Sequence, residues 1–361
     1  MTRTISKLFL NKTVLEAAQE RVAFLFDHFE YIYVSVSAGK DSTALYWLVV
    51  QEAMKRGRKV YVFFLDQEAE YEATIVLMRS MMAHPNVIPL WYQVPVYMTN
   101  ATSYLKDQLY AWGEGEEWMR PKEPDSIHAI DGEYPKRFYP FFEWFESQQP
   151  DGSAFLVGLR AEESLNRFRA VIKHPSYLGI GWSTKTAKPN SHRFYPLYDW
   201  GMGDVWRFIV DSHAPYNAIY DKMYQRNSGF YNTMRVSNLV HEKSFKCLTA
   251  LQELEPQTYE ALIRRLPGTH LASIYAEDDI VFNARKRPAG FATWRDYREH
   301  LLATIPTEKC ERFAKRFNGQ PDTPHYHRQQ CRQLMTNDYE NSLPPTKPKK
   351  EDWREKWRAV L

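Results

Sequence analysis

Apolar positions near the start of the chain recur at helical spacing: Val14, Ala17, Ala18, Val22, Phe24 and Leu25 line one side, and Thr13 with Glu16 has capping-box spacing. A helix is predicted from there to about Phe29. The pattern then becomes an unbroken β-branched and aromatic run, Tyr31–Val36, which reads as a buried strand. Helical spacing returns from Ser42 to about Arg56, with Leu45, Leu48, Val49 and Met54 on the apolar side. Lys59–Leu65 reads as a second strand ending at Asp66, Glu70–Met82 as a helix and Val87–Val94 as a third strand. Strands alternating with helices at this spacing form βαβ units and a parallel sheet, and strands apolar along their whole length mean helices on both faces.

Residues 112–152 are rich in Gly, Pro and charge and read as a long excursion or lid between sheet elements. Ala154–Gly158 resumes the sheet, Phe194–Leu197 leads to Asp199 and Trp200, and Asp204–Val210 starts a helix. Beyond about Gly229 strand patterns thin out. Segments 242–266, 291–303 and 308–318 read as helical, and a Pro/Lys linker precedes a short Trp-bearing helix at the end. The expected fold class is α/β, an open, mostly parallel sheet with helices on both faces, plus a mainly helical C-terminal region. The expected domains are 1–225 and a mostly helical, basic 226–361.

Composition adds modest constraints. At 44% hydrophobic and 25% charged residues the chain is an ordinary globular protein. Its 15% aromatics fit either a pocket walled by flat side chains or an aromatic core. The net charge is only +3, but from Val281 to Leu361 there are 17 Lys/Arg against 10 Asp/Glu. That basic stretch suits a solvated surface or contact with DNA or RNA. Three cysteines, Cys247, Cys310 and Cys331, exclude a disulfide framework and point to a reducing compartment. With no apolar run of membrane-spanning length and no signal-peptide pattern, a cytoplasmic protein without membrane contact is expected.

Candidate chemistry concentrates where the first strand gives way to the second helix, at Ser37, Ala38, Gly39, Lys40, Asp41 and Ser42. In an open parallel sheet ligands bind beyond the carboxyl ends of the strands, and free N–H groups at a helix start favour an anion. Ala38 and Gly39 let the backbone approach closely, Ser37 and Ser42 offer hydroxyl donors, and Lys40 offers a point charge. Asp41 would repel phosphate unless it holds Mg2+ or makes a structural hydrogen bond, and both readings stand. The spacing is neither G-x-x-x-x-G-K-[ST] nor G-x-G-x-x-G. In "LVGLRAEESLNRFRA", Arg160 and Arg167 can form bidentate bonds to phosphate oxygens, and Gly158 ends a strand where a ligand can pass close. Glu162 and Glu163 can orient those arginines or a metal, although Glu163 and Arg167 also have the i,i+4 spacing of an ordinary helix pair.

Ser-x-Gly-x-Asp-Ser after a first strand resembles the PP-loop of N-type ATP pyrophosphatases, and "SVSAGKDS" is similar to the form in the phosphoadenosine phosphosulfate (PAPS) reductase-like branch. Ala38 stands where that branch usually has glycine. "VFFLDQEAEYEAT", "LVGLRAEESLNRFRA", "YPLYDWGMGDVW" and "APYNAIYDKMY" resemble further segments of the branch, in order, over about residues 31–225. The resemblance implies an adenine nucleotide α-hydrolase-like fold with ATP and Mg2+ as cofactors. ATP would lie across Ser37–Ser42, its adenine near Leu65, Asp66 and Gly158, with Arg160, Glu163 and Arg167 also in the site. Lys40, Asp41 and Arg160 are the catalytic candidates, and Asp41 is the candidate metal ligand.

The sulfonucleotide reductases of that branch use a cysteine near the C-terminus, and many hold an iron–sulfur cluster on paired cysteines. This chain has no Cys-Cys pair, no Cys-x-x-Cys and no Cys-Gly-x-His tail, so neither an iron–sulfur cluster nor true PAPS reduction is expected. Cys310, His325, His327 and Cys331 are zinc-type donors, but their spacing is not that of a common finger, and buried thiols with surface histidines is the preferred reading. The segments beginning "NSGFYNTMRVSN" and "YHRQQCRQLMTN" resemble a subgroup with an extra C-terminal domain, typified by immunoglobulin-binding regulator A. That subgroup implies a ParB/sulfiredoxin-like partner and a phage or mobile-element setting. The expected function is ATP cleavage to AMP and pyrophosphate that adenylylates an acceptor, with nucleic-acid modification as one setting. The alternative is a catalytically silent nucleotide-binding regulator acting with a ParB-like partner.

Overall fold

The computed structural model describes residues 10–102, 107–172, 176–226, 234–241, 245–270 and 286–339. They form two units, Met1–Val96 with Pro121–Val236, and Tyr97–Arg120 with Ser237–Leu361.

The first unit begins with α1 (Val14–His28), whose predicted capping box is present: Glu16 N–H donates to Thr13 Oγ1 at 3.2 Å and Thr13 N–H donates to Glu16 Oε2 at 2.7 Å. Then come β1 (Ile32–Ser35), α2 (Lys40–Lys55), β2 (Val60–Leu65), α3 (Glu72–Met82) and β3 (Val87–Tyr92). After β4 (Val96–Thr99) and β5 (Gln108–Ala111), which form a separate two-stranded sheet, follow α4 (Phe138–Gln148), β6 (Ala154–Val157), α5 (Leu165–Ile172), β7 (Ser183–Lys185), β8 (His192–Phe194), α6 (Met202–Asp211) and α7 (Ile219–Arg226). The main sheet has the order β3-β2-β1-β6-β8-β7, parallel except where β7 meets β8. This is the expected open, mostly parallel α/β sheet.

Alternate residues of each strand face opposite sides of a sheet, and here the two sides differ in chemistry. Ile32, Val34, Val60, Val62, Ala154 and Leu156 join an aliphatic core with Leu25 of α1, Leu45 and Val49 of α2 and Ile209 of α6. On the other side Tyr33 stacks between Tyr61 and Phe155, with centroids 4.6 and 5.1 Å away, as the parallel register demands. Phe145 of α4 seats on Phe63 at 4.2 Å. Much of the aromatic excess is therefore core.

Two expectations need correction here. Met54 is 56% exposed, so the core side of α2 stops short of it. The 112–152 excursion also contains α4, which covers the aromatic face of the sheet with Phe141 and Phe145. Pro140 obscured that helix in the sequence, yet it sits in the first turn, where a missing N–H costs little. α4 is pinned further by its buried Glu146, which accepts two 2.6 Å hydrogen bonds from Arg193 of β8. Burial raises the pKa of Glu146 above the usual carboxylate range, with Arg193 opposing it.

The second unit adds to β4 and β5 the helices α8 (Phe245–Leu254), α9 (Pro256–Arg265), α10 (Trp294–Thr304), α11 (Thr307–Phe317) and α12 (Pro324–Thr336). The predicted helical stretch 242–266 breaks at Glu255, because Pro256 opens α9 at a position where it needs no N–H partner. α12 was not expected: beside Cys331, Leu334 and Met335 it buries His327, Gln329, Gln330, Arg332 and Gln333, which break up the apolar period. Leu301, Ile305, Phe313, Cys331 and Leu334 make a core in this unit.

Candidate nucleotide site

β1 and β6 are neighbours in the sheet, yet the chain leaves β1 towards β2 on one side and leaves β6 towards β8 on the other. Their following loops diverge, which opens a crevice at the carboxyl ends of the strands, the usual ligand position in such sheets. Ser37–Ser42 forms one wall. Ala38 adopts a left-handed backbone (φ 52°) and is fully buried, so the position that favours glycine here carries the smallest side chain instead. Ser42 Oγ accepts from Ser37 N–H at 3.1 Å and donates to Gly39 O at 3.0 Å. The Ser42 hydroxyl thus shapes the loop from within, while Ser37 is exposed at its surface. Gly39 is the N-cap of α2 and supplies no side-chain cap. The Lys40 N–H donates to Tyr220 Oη at 3.0 Å.

Gly158 and Arg160 come from the β6 loop. A Cβ on Gly158 would stand 2.9 Å from Asp41 C, Asp41 O and Ser42 Cα. On the side where a Cβ would point, what passes close to this glycine is the first turn of α2. Arg160 is 3% exposed, and its Nε donates to Asp41 Oδ1 at 2.5 Å. Asp41 Oδ2 lies 3.3 Å from Lys40 Nζ. Both carboxylate oxygens are thus engaged by cations, and Asp41 holds Lys40 and Arg160 together at the loop. This arrangement does not fit Asp41 as a Mg2+ ligand, and among the described residues no group of three His, Cys, Asp or Glu side chains could hold a metal ion.

Arg167 pairs with Glu163 in the i,i+4 manner of a helix pair. Its pKa is lowered first by burial and then by the neighbouring Arg235, with Arg160 adding to the effect and Asp41 opposing it. Arg160, Arg167 and Arg235 thus lie within electrostatic reach of one another around three carboxylates, Asp41, Glu162 and Glu163, and Lys40 joins them through Asp41. Like charges held this close raise each other's energy, and a polyanion relieves that cost. Leu65 and Asp66 do not join them. Asp66 is fully buried: Oδ1 accepts from Glu68 N–H at 2.9 Å, and Oδ2 accepts from Trp91 Nε1 at 3.0 Å and Gln93 Nε2 at 2.9 Å. Its carboxylate fixes the β2–α3 loop. Leu65 is likewise buried.

Several residues that matter here carried no site assignment in the sequence reading. Asn217 donates to Thr74 Oγ1 at 2.8 Å and to Ala38 O at 3.4 Å, tying the loop to α3. Tyr220 caps the loop from α7, and Arg235 extends the cationic set. Asn217 and Tyr220 lie in "APYNAIYDKMY", a visible motif without an obvious chemical role; Arg235 had no signal. The "YPLYDW" segment is structural: Asp199 takes a bidentate pair from Arg21 at 2.7 and 2.6 Å, and Trp200 Nε1 donates to Val14 O at 3.1 Å. Cys331 of the second unit is buried and poorly suited to act as a nucleophile. Burial pushes the Cys331 thiol up to about 12, and its Sγ faces Trp294 O at 3.5 Å. His327 is buried rather than at the surface, with Nε2 2.7 Å from Asp322. The Cys247 side chain lies outside the described residues.

The family model for the phosphoadenosine phosphosulfate reductase domain matches residues 31–234, more than half of the chain and all of this site but Arg235. The chain belongs to that family. It is 28% identical over 386 aligned residues to the uncharacterized protein YbdN of Escherichia coli K12, covering 96% of this chain and 94% of YbdN. It is 24% identical over 163 residues to an adenosine 5'-phosphosulfate reductase of Lysinibacillus sphaericus, 45% of this chain and 58% of that protein. A domain of unknown function, DUF3440, matches residues 230–340. Similar solved structures include the PAPS reductase of Candida auris in a phosphate complex (TM-score 0.35, 15% identity, 64% of this chain and 98% of that one). Another is the FMN adenylyltransferase of Candida glabrata with FMN and an ATP analogue (TM-score 0.36, 14% identity, 60% and 64%). Among the described residues no helix is long and apolar enough to cross a membrane.

Proposed function

We propose that this PAPS reductase-family chain binds ATP across Ser37–Ser42 and cleaves it between the α and β phosphorus atoms. The observation that carries this reading is the pairing of Lys40 and Arg160 with Asp41 at the loop, with Arg167 within electrostatic reach of Arg160 and Asp41. An oxygen nucleophile on an acceptor attacks the α-phosphorus and gives up its proton. The bond to the bridging oxygen of the β-phosphate breaks, and pyrophosphate departs with the electron pair. A second nucleophile then displaces AMP. Lys40 and Arg160 stabilise the charge that develops on the leaving group, so the protein's share is positioning and electrostatics. Asp41 positions the two cations, and no step is assigned to Mg2+. The basic character of 226–361 supports DNA or RNA as the acceptor class, while the subgroup resemblance supports a ParB/sulfiredoxin-like partner.

A second reading, a nucleotide-binding regulator without turnover, draws on the way Asp41 already neutralises part of the cationic set. One assay separates the two. Incubation with α-32P-ATP, with and without DNA or RNA, is expected to yield labelled AMP or a labelled acceptor together with pyrophosphate. ATP binding without either product favours the regulator. Sulfite formed from PAPS and a thiol reductant would overturn both.

A further inference from the structure

Helices α6 and α7, with Met234, enclose a pocket of about 290 Å³ in the first unit. Its wall is aromatic: Trp206, Tyr216, Tyr220 and Tyr224, completed by Met234 and Asp221. Trp206 meets Tyr216 and Tyr220 edge-on, with centroids 5.8 and 5.1 Å apart and ring planes at 85°. Tyr216 donates to Asp221 Oδ1 at 2.7 Å, which orients its ring and occupies that carboxylate oxygen. The indole Nε1–H of Trp206 is buried and, among the described residues, has no hydrogen-bond partner. A buried donor left in that state is destabilising, and a small shift of the indole towards a ligand's acceptor atom relieves it.

The pocket shares parts with the phosphate loop. Tyr220, one of its walls, holds the Lys40 N–H at 3.0 Å. Met234, another wall, immediately precedes Arg235, whose charge acts on Arg167 and on Tyr220. Fixed rings, a polarizable thioether and one unmet donor suit a planar, polarizable ligand better than an aliphatic one. Asp221 in the lining and the nearby Arg235 guanidinium oppose each other, so neither a cation nor an anion is favoured. We propose that this pocket seats an uncharged, flat heteroaromatic ring bearing a hydrogen-bond acceptor, and that this ring belongs to the acceptor molecule of the reaction at the loop. The role as acceptor seat rests on the nucleotide reading above; the affinity for such a ring does not. At this volume a fused two- or three-ring system fits.

Calorimetry of the full chain with lumichrome, an uncharged fused heteroaromatic without phosphate, tests the pocket directly. A dissociation constant of about 100 μM or tighter is expected. Trp206→Phe keeps the wall and removes the donor, and should weaken binding about fivefold or more. Met234→Trp fills the space and should abolish binding. Titration of the same samples with a non-hydrolysable ATP analogue reads the loop separately. No lumichrome binding by the wild-type chain, or equal affinity in Met234→Trp, overturns the proposal whatever the nucleotide does. If Met234→Trp melts early, Trp206→Phe decides, and unchanged affinity there overturns it. Lumichrome binding as expected with no nucleotide binding sinks the nucleotide reading and the acceptor role, and leaves the ring site standing.

Discussion

Arg160→Ala is expected to abolish pyrophosphate release and to lower the stability of the first unit by about 3–5 kcal/mol, the usual loss when one partner of a buried ion pair is removed. The Arg160 side chain is 3% exposed and Asp41 only 14%, so water does little to screen what remains. Without Arg160, the Asp41 carboxylate keeps only Lys40 at 3.3 Å, and the loop loses the link between α2 and the β6 loop. Asp41→Asn in the Arg160→Ala background should recover much of the stability, since no uncompensated charge is left, while turnover stays absent. Lys40→Ala should also remove turnover, with a smaller effect on unfolding. Urea unfolding and pyrophosphate release measured on the four proteins check this. Wild-type turnover in either Arg160→Ala or Lys40→Ala would mean the loop cations are not the catalytic groups.

Gly158→Val should be the most damaging change of the smallest kind. Its Cβ would meet backbone atoms of Asp41 and Ser42 at 2.9 Å, and backbone cannot rotate away as a side chain tip can. Overpacking of this sort costs about 1–3 kcal/mol, and more where nothing yields. The expected relief is a displacement of the first turn of α2, which carries Lys40, Asp41 and Ser42 out of register with Arg160. Nucleotide binding should fall by at least about tenfold, a loss of about 1.4 kcal/mol, and the melting temperature should drop. Gly158→Ala should show the same pattern at reduced amplitude. A fully stable Gly158→Val protein with unchanged nucleotide affinity would refute the close approach.

The legible parts of this molecule are those whose signal is local. The capping box at Thr13, the strands of the parallel sheet and the loop at Ser37–Ser42 can each be read from short windows, because period and small residues fix them. α4 was hidden because Pro140 reads as a breaker unless the helix start is known to lie two residues earlier. α12 was hidden because its short apolar set, Cys331, Leu334 and Met335, is outnumbered by buried glutamines, a histidine and an arginine that a hydrophobic period cannot register. Site assignments divided in the same way. Lys40, Asp41 and Arg160 could be singled out as charges at strand ends, and the structure brings them together. The buried hydrogen bonds of Asp66 could not be read, since its partners Trp91 and Gln93 come from another strand end. Arg235 and the ring of Tyr220 enter only through tertiary folding.

The central claim is that a nucleotide triphosphate is held at the β1/β6 crevice by the loop and its cations. A crystal structure of the chain with AMPCPP, whose methylene group blocks cleavage between the α and β phosphorus atoms, addresses it most directly. The account predicts phosphate oxygens within hydrogen-bond distance of the Ser37–Ser42 backbone, Lys40 and Arg160. A complex in which the analogue sits elsewhere, with Arg160 still closed on Asp41 and the crevice empty, would contradict it.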